Sequence, residues 1–124
     1  MVTADKKNKQ LVRLKKRADF LLVQSSGQKW ISKGMIIQLR ANDGLGLRVG
    51  LTVTKRVSKL AVFRNRVKRR LKAVSEEILS SYQAQNLDII LVGRVLTKER
   101  DYQDLRQDLV WSLKKMNVAM DEAS

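Results

Sequence analysis

Apolar positions recur along this chain with two different periods, and each period places different elements. Between Leu60 and Tyr82 the apolar residues Phe63, Val67, Leu71, Val74 and Ile78 fall at spacings of four, four, three and four, which predicts a long helix with one buried stripe. Tyr102, Leu105, Leu109, Leu113 and Met116 repeat the pattern and predict a last helix over about 101–117. Asp101 and Asp104 in its first turn and Lys114-Lys115 in its last complement the helix dipole. A shorter helix is predicted from about Leu14 to Ser25, with Leu14, Ala18 and Leu21 as its stripe and Ser26-Gly27 as its stop. Elsewhere the period is two. Leu47, Val49, Leu51 and Val53 alternate with Arg48, Gly50, Thr52 and Thr54, as in a strand with one buried face. Residues 35–40 read as another strand, and the turn signal Asn42-Asp43-Gly44 between the two predicts that they pair as a hairpin. A third strand, about Leu87–Val95, contains the unbroken run Ile89-Ile90-Leu91-Val92, which suits a strand covered on both faces.

The order is helix, two strands, long helix, strand, helix. It predicts an α+β fold of two layers, one small sheet with helices packed on it. With 124 residues, 44% of them hydrophobic, the chain supports one folded domain. We place that domain at 13–118, after a mobile basic arm at 1–12 and before a short tail at 119–124.

Charge changes the picture more than composition does. The net charge is +14, but residues 1–72 hold 20 basic and 3 acidic side chains, whereas residues 73–124 hold 6 and 9. Lys55 to Lys72 carries nine basic residues and no acid. On a helical wheel Arg64, Lys68 and Lys72 line one flank of the apolar stripe, Arg66 and Arg70 line the other, and Asn65 and Arg69 lie opposite it. Like charges at this spacing repel. A solvated face ordinarily mixes both signs. A face of one sign points to a polyanion, with nucleic acid first. A membrane surface is disfavoured because the apolar stripe is needed for the core. No apolar run approaches the ~20 residues of a bilayer span, and the N-terminal segment lacks the apolar core of a secretory signal, so the expected location is the cytoplasm.

Catalytic chemistry is not visible in the residues. The chain has no His and no Cys, which removes the usual neutral-pH base and the thiolate nucleophile or ligand. Glu76-Glu77 and Asp101, Asp104 and Asp108 read as helix-surface charges, and Asp88 stands alone at the start of a strand. The residues describe a binder rather than a catalyst, and no small-molecule substrate is expected. Phe20 points about 120° away from Leu14 and Ala18, where an aromatic either stacks on an unpaired base or closes the core. Trp30 and Trp111 read as core or edge residues. Trp111 lies one position off its helical stripe, so part of it is expected to be exposed.

At Arg64-Asn65-Arg66-Val67-Lys68-Arg69-Arg70-Leu71 the chain resembles the Arg-Asn-Arg signature of the bacterial ribonuclease P protein component. Three more blocks are similar to that family in the same order: Arg13 to Lys16 with Asp19-Phe20 and Val23, Arg48 to Arg56, and Asp88 to Val92 with Arg94. Where the family often has further aromatics, this chain has Gln24 and Gln38. The resemblance implies an α+β fold with parallel strands joined by a left-handed βαβ crossover, against the usual hand. It implies a protein that assists a catalytic RNA in removing the 5′ leader of precursor tRNA, with Mg²⁺ held by the RNA and none by protein side chains alone. It further implies that Arg64, Asn65, Arg66, Lys68, Arg69 and Arg70 hold the ribonuclease P RNA, and that Phe20, Val23, Lys55, Arg56 and Arg94 line or flank the cleft for the leader. A ribosomal or general RNA-binding structural protein is the alternative.

Overall fold

The computed structural model describes residues 11–121. Among them, eight elements of regular structure follow in order: β1 (Val12–Arg13), α1 (Arg17–Ser26), β2 (Gln28–Ile31), β3 (Met35–Ala41), β4 (Arg48–Thr52), α2 (Ala61–Leu79), β5 (Leu87–Gly93) and α3 (Tyr102–Lys115). Short 3-10 turns at Ser80–Tyr82 and Val95–Lys98 follow α2 and β5. All five strands join one mixed sheet in the spatial order β1-β4-β5-β3-β2. This is the expected α+β class, and α2 joins the parallel neighbours β4 and β5.

The predicted hairpin does not form. β3 and β4 each pair with β5, which lies between them, β3 antiparallel and β4 parallel. The turn residues behave as their sequence says, with Asp43 and Gly44 at φ 47° and 84°. However, six residues (42–47) separate the strands. That length reaches across two strand spacings, about 9.5 Å, where a tight two-residue turn reaches only one. β5 wins the central place because its run is apolar on both faces: Ile89, Ile90 and Leu91 are fully buried.

The two-layer expectation is also corrected, because the sheet is covered on both sides. Met35, Ile37, Val49, Ile89 and Leu91 pack against Val67, Leu71 and Val74 of α2 and Leu105, Leu109 and Leu113 of α3. On the other face Leu14, Val23 and Ile90 form a smaller cluster with Phe20 and Val92, under α1. The stripe proposed for α1 is out of phase. Ala18 is exposed and Leu21 is 48% exposed, while Val23 is buried. Leu14 lies before the helix, which starts at Arg17, so counting in fours from Leu14 picks the wrong face.

The packed unit extends past 13–118 at both ends. Leu11 belongs to the core and Val12 pairs with Arg48; the remainder of the expected arm, residues 1–10, lies outside the described residues. At the other end Asp121 donates its N–H to the Ser81 carbonyl, and its carboxylate accepts from the Ala84 N–H.

Candidate nucleic-acid interface

α2 begins without an acidic residue in its first turn, so its positive dipole end adds to Lys55, Arg56 and Lys59 just before it. The loop ahead of it is held by Arg64, whose guanidinium donates to the carbonyls of Ser58 at 2.8 Å and Lys59 at 2.9 Å. Arg70 is engaged more fully. It donates to the carbonyls of Thr97 at 2.9 Å, Lys98 at 2.8 Å and Arg100. It thereby ties α2 to the turn after β5. Arg66 lies 5.6 Å from the centroid of Phe63, and Lys98 lies 4.6 Å from the same ring. Of the six residues assigned to RNA binding, Asn65, Arg66, Lys68 and Arg69 are exposed.

Beside this helix a groove of about 830 Å³ opens. Its floor is Leu14, Val49 and Leu51; Phe20 lines it together with Lys68, Arg69 and Lys72 of α2 and with Arg13 and Lys15. Phe20 thus combines both readings left open by its sequence, packing against the small cluster while lining the groove. Gly50 makes room for it: a Cβ there would lie 2.6 Å from the Phe20 ring. Arg13, Lys15 and Lys72 were not among the candidates. Lys72 was detectable as the residue four after Lys68. Arg13 required the β1–β4 pairing, which sets it opposite Val49.

A second groove of about 590 Å³ brings Arg56 and Arg94 together, with Thr54, Ile36 and Val92 among its walls. The Arg94 guanidinium donates to the Ser32 carbonyl, and the Arg94 backbone N–H donates to the Thr97 hydroxyl at 2.8 Å. The candidate leader residues therefore divide between two grooves, with Phe20 in one and Arg56 and Arg94 in the other. Lys55 is exposed and lines neither. Val23, on the inner face of α1, is 1% exposed and packs with Leu14 and Ile90, away from both grooves.

One buried ion pair holds α1 over the sheet. Arg48 donates both to Asp88 Oδ1 and to Oδ2 at 2.7 Å, and Asn42 adds a bond to Asp88 at 2.8 Å. The second Arg48 terminal nitrogen lies 3.5 Å from Asp19 of α1, one residue before Phe20. Burial pushes the Asp88 carboxyl up, but the hydrogen bonds from Arg48 and Asn42 and the Arg48 charge outweigh it and hold it below its ordinary value. Among the described residues no group of three or more His, Cys, Asp or Glu is placed to hold a metal ion, and no helix is long and apolar enough to cross a membrane.

The family model described as Ribonuclease P matches residues 9–117. The chain belongs to the ribonuclease P family. It is 41% identical over 113 residues to the ribonuclease P protein component of Paramagnetospirillum magneticum, covering 87% of this chain and 84% of that one. It is 41% identical over 107 residues to the protein of the same name from Gluconacetobacter diazotrophicus, covering 86% and 91%. The fold is similar to the solved ribonuclease P protein of Staphylococcus aureus (TM-score 0.73, 25% identity, 88% and 98% covered) and to that of Thermotoga maritima (TM-score 0.70, 26% identity, 83% and 96% covered). The chain is accordingly a protein component of the endoribonuclease ribonuclease P.

Proposed function

We propose that this ribonuclease P protein divides its RNA contacts between two surfaces. The outward face of α2, with Asn65, Arg66 and Arg69, anchors the RNA subunit. The groove under Phe20 takes the single-stranded 5′ leader of precursor tRNA, which continues toward Arg56 and Arg94. The observation that carries this reading is the groove itself, which sets one aromatic ring opposite a wall of Lys68, Arg69 and Lys72. An aromatic platform beside backbone-tracking cations suits a strand of variable sequence, since every base has a π-face. Asn65, Lys68 and Arg69, which also line the groove, stand at the junction of the two surfaces and serve both, while Arg66 lies outside the groove. Arg64 and Arg70 act through the backbone carbonyls they hold, and Lys55 adds field at the rim.

The RNA subunit carries out the phosphodiester hydrolysis, with Mg²⁺ held by RNA. With the ion placed on the RNA, the protein side chains bind and orient the two RNAs. The protein supplies positioning and counter-charge to two polyanions that otherwise repel each other. The cell compartment of this chemistry is the cytoplasm. The test is reconstitution with a bacterial ribonuclease P RNA at low Mg²⁺. Cleavage of precursor tRNA should be faster with the protein than without it. Equal rates, with co-sedimentation of the protein on ribosomal subunits, would favour a ribosomal RNA-binding protein instead.

A further inference from the structure

α3 carries an aromatic surface that the two contacts above do not use. Trp111 is 54% exposed. The Lys115 ammonium sits 4.6 Å from the centroid of its ring. A groove of about 550 Å³ opens against the ring, lined by Ile78, Gln103, Arg106, Gln107, Asp108, Val110 and Lys114 but not by Lys115. The cation therefore braces the indole from outside the groove. The lining positions of α3 recur at helical spacing and form one outward stripe, clear of the buried Leu105, Leu109 and Leu113.

The charges of this stripe select its occupant. Two of the acids near it are engaged: Asp108 accepts two hydrogen bonds from Arg100, while Glu77 of α2 accepts from the Tyr102 hydroxyl at 2.9 Å and lies 2.7 Å from Arg106; Asp104, outside the groove lining, forms no ion pair among the described residues. Among the described residues Lys114 and Lys115 pair with no carboxylate. An apolar floor, an exposed indole, two side-chain amides and two unpaired ammonium groups match a base with its flanking phosphates. They match the same face of a second copy poorly, because each copy would bring its own Lys114 and Lys115 to the contact.

We propose that this groove is a further RNA contact that takes one unpaired nucleotide. The base stacks on Trp111, its edge meets Gln103 or Gln107, and Lys114 and Lys115 receive the phosphates. The proposal shares with the reading above only that the chain meets RNA; it does not depend on where the leader lies.

The test uses the full chain labelled with 5-fluorotryptophan, which gives one fluorine signal each for Trp30 and Trp111. Trp111→Phe assigns them. Fluorescent decaadenylate is the probe, with anisotropy following total binding, the α2 face included. The Trp111 signal should move and saturate while the Trp30 signal stays. Lys114→Glu with Lys115→Glu should weaken the affinity read at Trp111 about ten-fold while total binding persists. An unmoved Trp111 signal at saturating anisotropy overturns the proposal. So does an equal response in the charge-swapped protein, or a Trp111 shift that follows protein concentration without RNA, which would mark a contact between copies. Failure of the α2 reading looks different, since anisotropy would then be insensitive to Arg66→Ala.

Discussion

Arg70 and Arg66 are both cations of the same helix, yet the structure gives them opposite work. Arg70 donates to the carbonyls of Thr97, Lys98 and Arg100, whereas Arg66 is exposed over Phe63. A charge-assisted hydrogen bond contributes roughly 1.5–3 kcal/mol when its partners are shielded. The three bonds of Arg70 share one side chain, and the freed carbonyls regain water in part, so their loss in Arg70→Ala is expected to cost about 2 kcal/mol in all. For a domain of this size that lowers Tm by about 6–10 °C. Arg70→Lys should recover only part of this, because one ammonium does not span three carbonyls. Affinity for the RNA subunit measured from 50 to 400 mM salt should keep its slope in Arg70→Ala. In Arg66→Ala, Tm should stay nearly constant and the slope should fall by about 0.7–0.9, the release of one phosphate contact. The opposite pairing would refute the assignment: an Arg70→Ala protein with unchanged Tm and a shallower slope.

Three further outcomes follow from the same geometry. Asp88 has a folded-state pKa below its unfolded value, so its contribution is complete above about pH 4 and is lost as pH falls through the folded value; chemical denaturation between pH 2 and 7 should show that loss in the natural protein and a flatter profile in Asp88→Asn, which is already destabilised at neutral pH. Gly50→Ala forces the Phe20 ring to move and should cost about 1–3 kcal/mol in denaturant unfolding, with precursor tRNA affinity falling more than affinity for mature tRNA. Leu109→Ala, at a fully buried position, should cost about 2–5 kcal/mol by the same assay and leave the RNA salt slope unchanged.

Much of this was legible in the sequence, for identifiable reasons. Val67, Leu71 and Val74, and Leu105, Leu109 and Leu113, are helical stripes whose period alone sets the buried face, and all six are fully buried. The run Ile89 to Val92 announced a strand covered on both sides, and it is the sheet's central strand. What failed was strand partnership. Asn42-Asp43-Gly44 specifies a turn, but nothing local tells whether the next strand pairs beside β3 or skips over β5. β1 escaped notice because two residues carry no period. α1 was misphased by a leucine that precedes it. At the interface, the one-signed charge of α2 was plain, but the sequence does not tell a cation that faces solvent from one that holds carbonyls. Arg64 and Arg70 read the same as Arg66 and Arg69 until Ser58 and Thr97 are brought beside them.

The central claim is that one surface holds the enzyme's RNA and another holds the substrate's leader. Site-specific photocrosslinking tests it most directly, with benzoylphenylalanine placed at position 20 or at position 66 of the reconstituted holoenzyme bound to precursor tRNA. Position 20 lies among the residues lining the groove, whereas position 66 is exposed on α2 and lines no part of it. Crosslinks from position 20 to the leader and from position 66 to the RNA subunit are the predicted result. Crosslinks from position 20 to the RNA subunit alone, undiminished when the leader is removed, would contradict it.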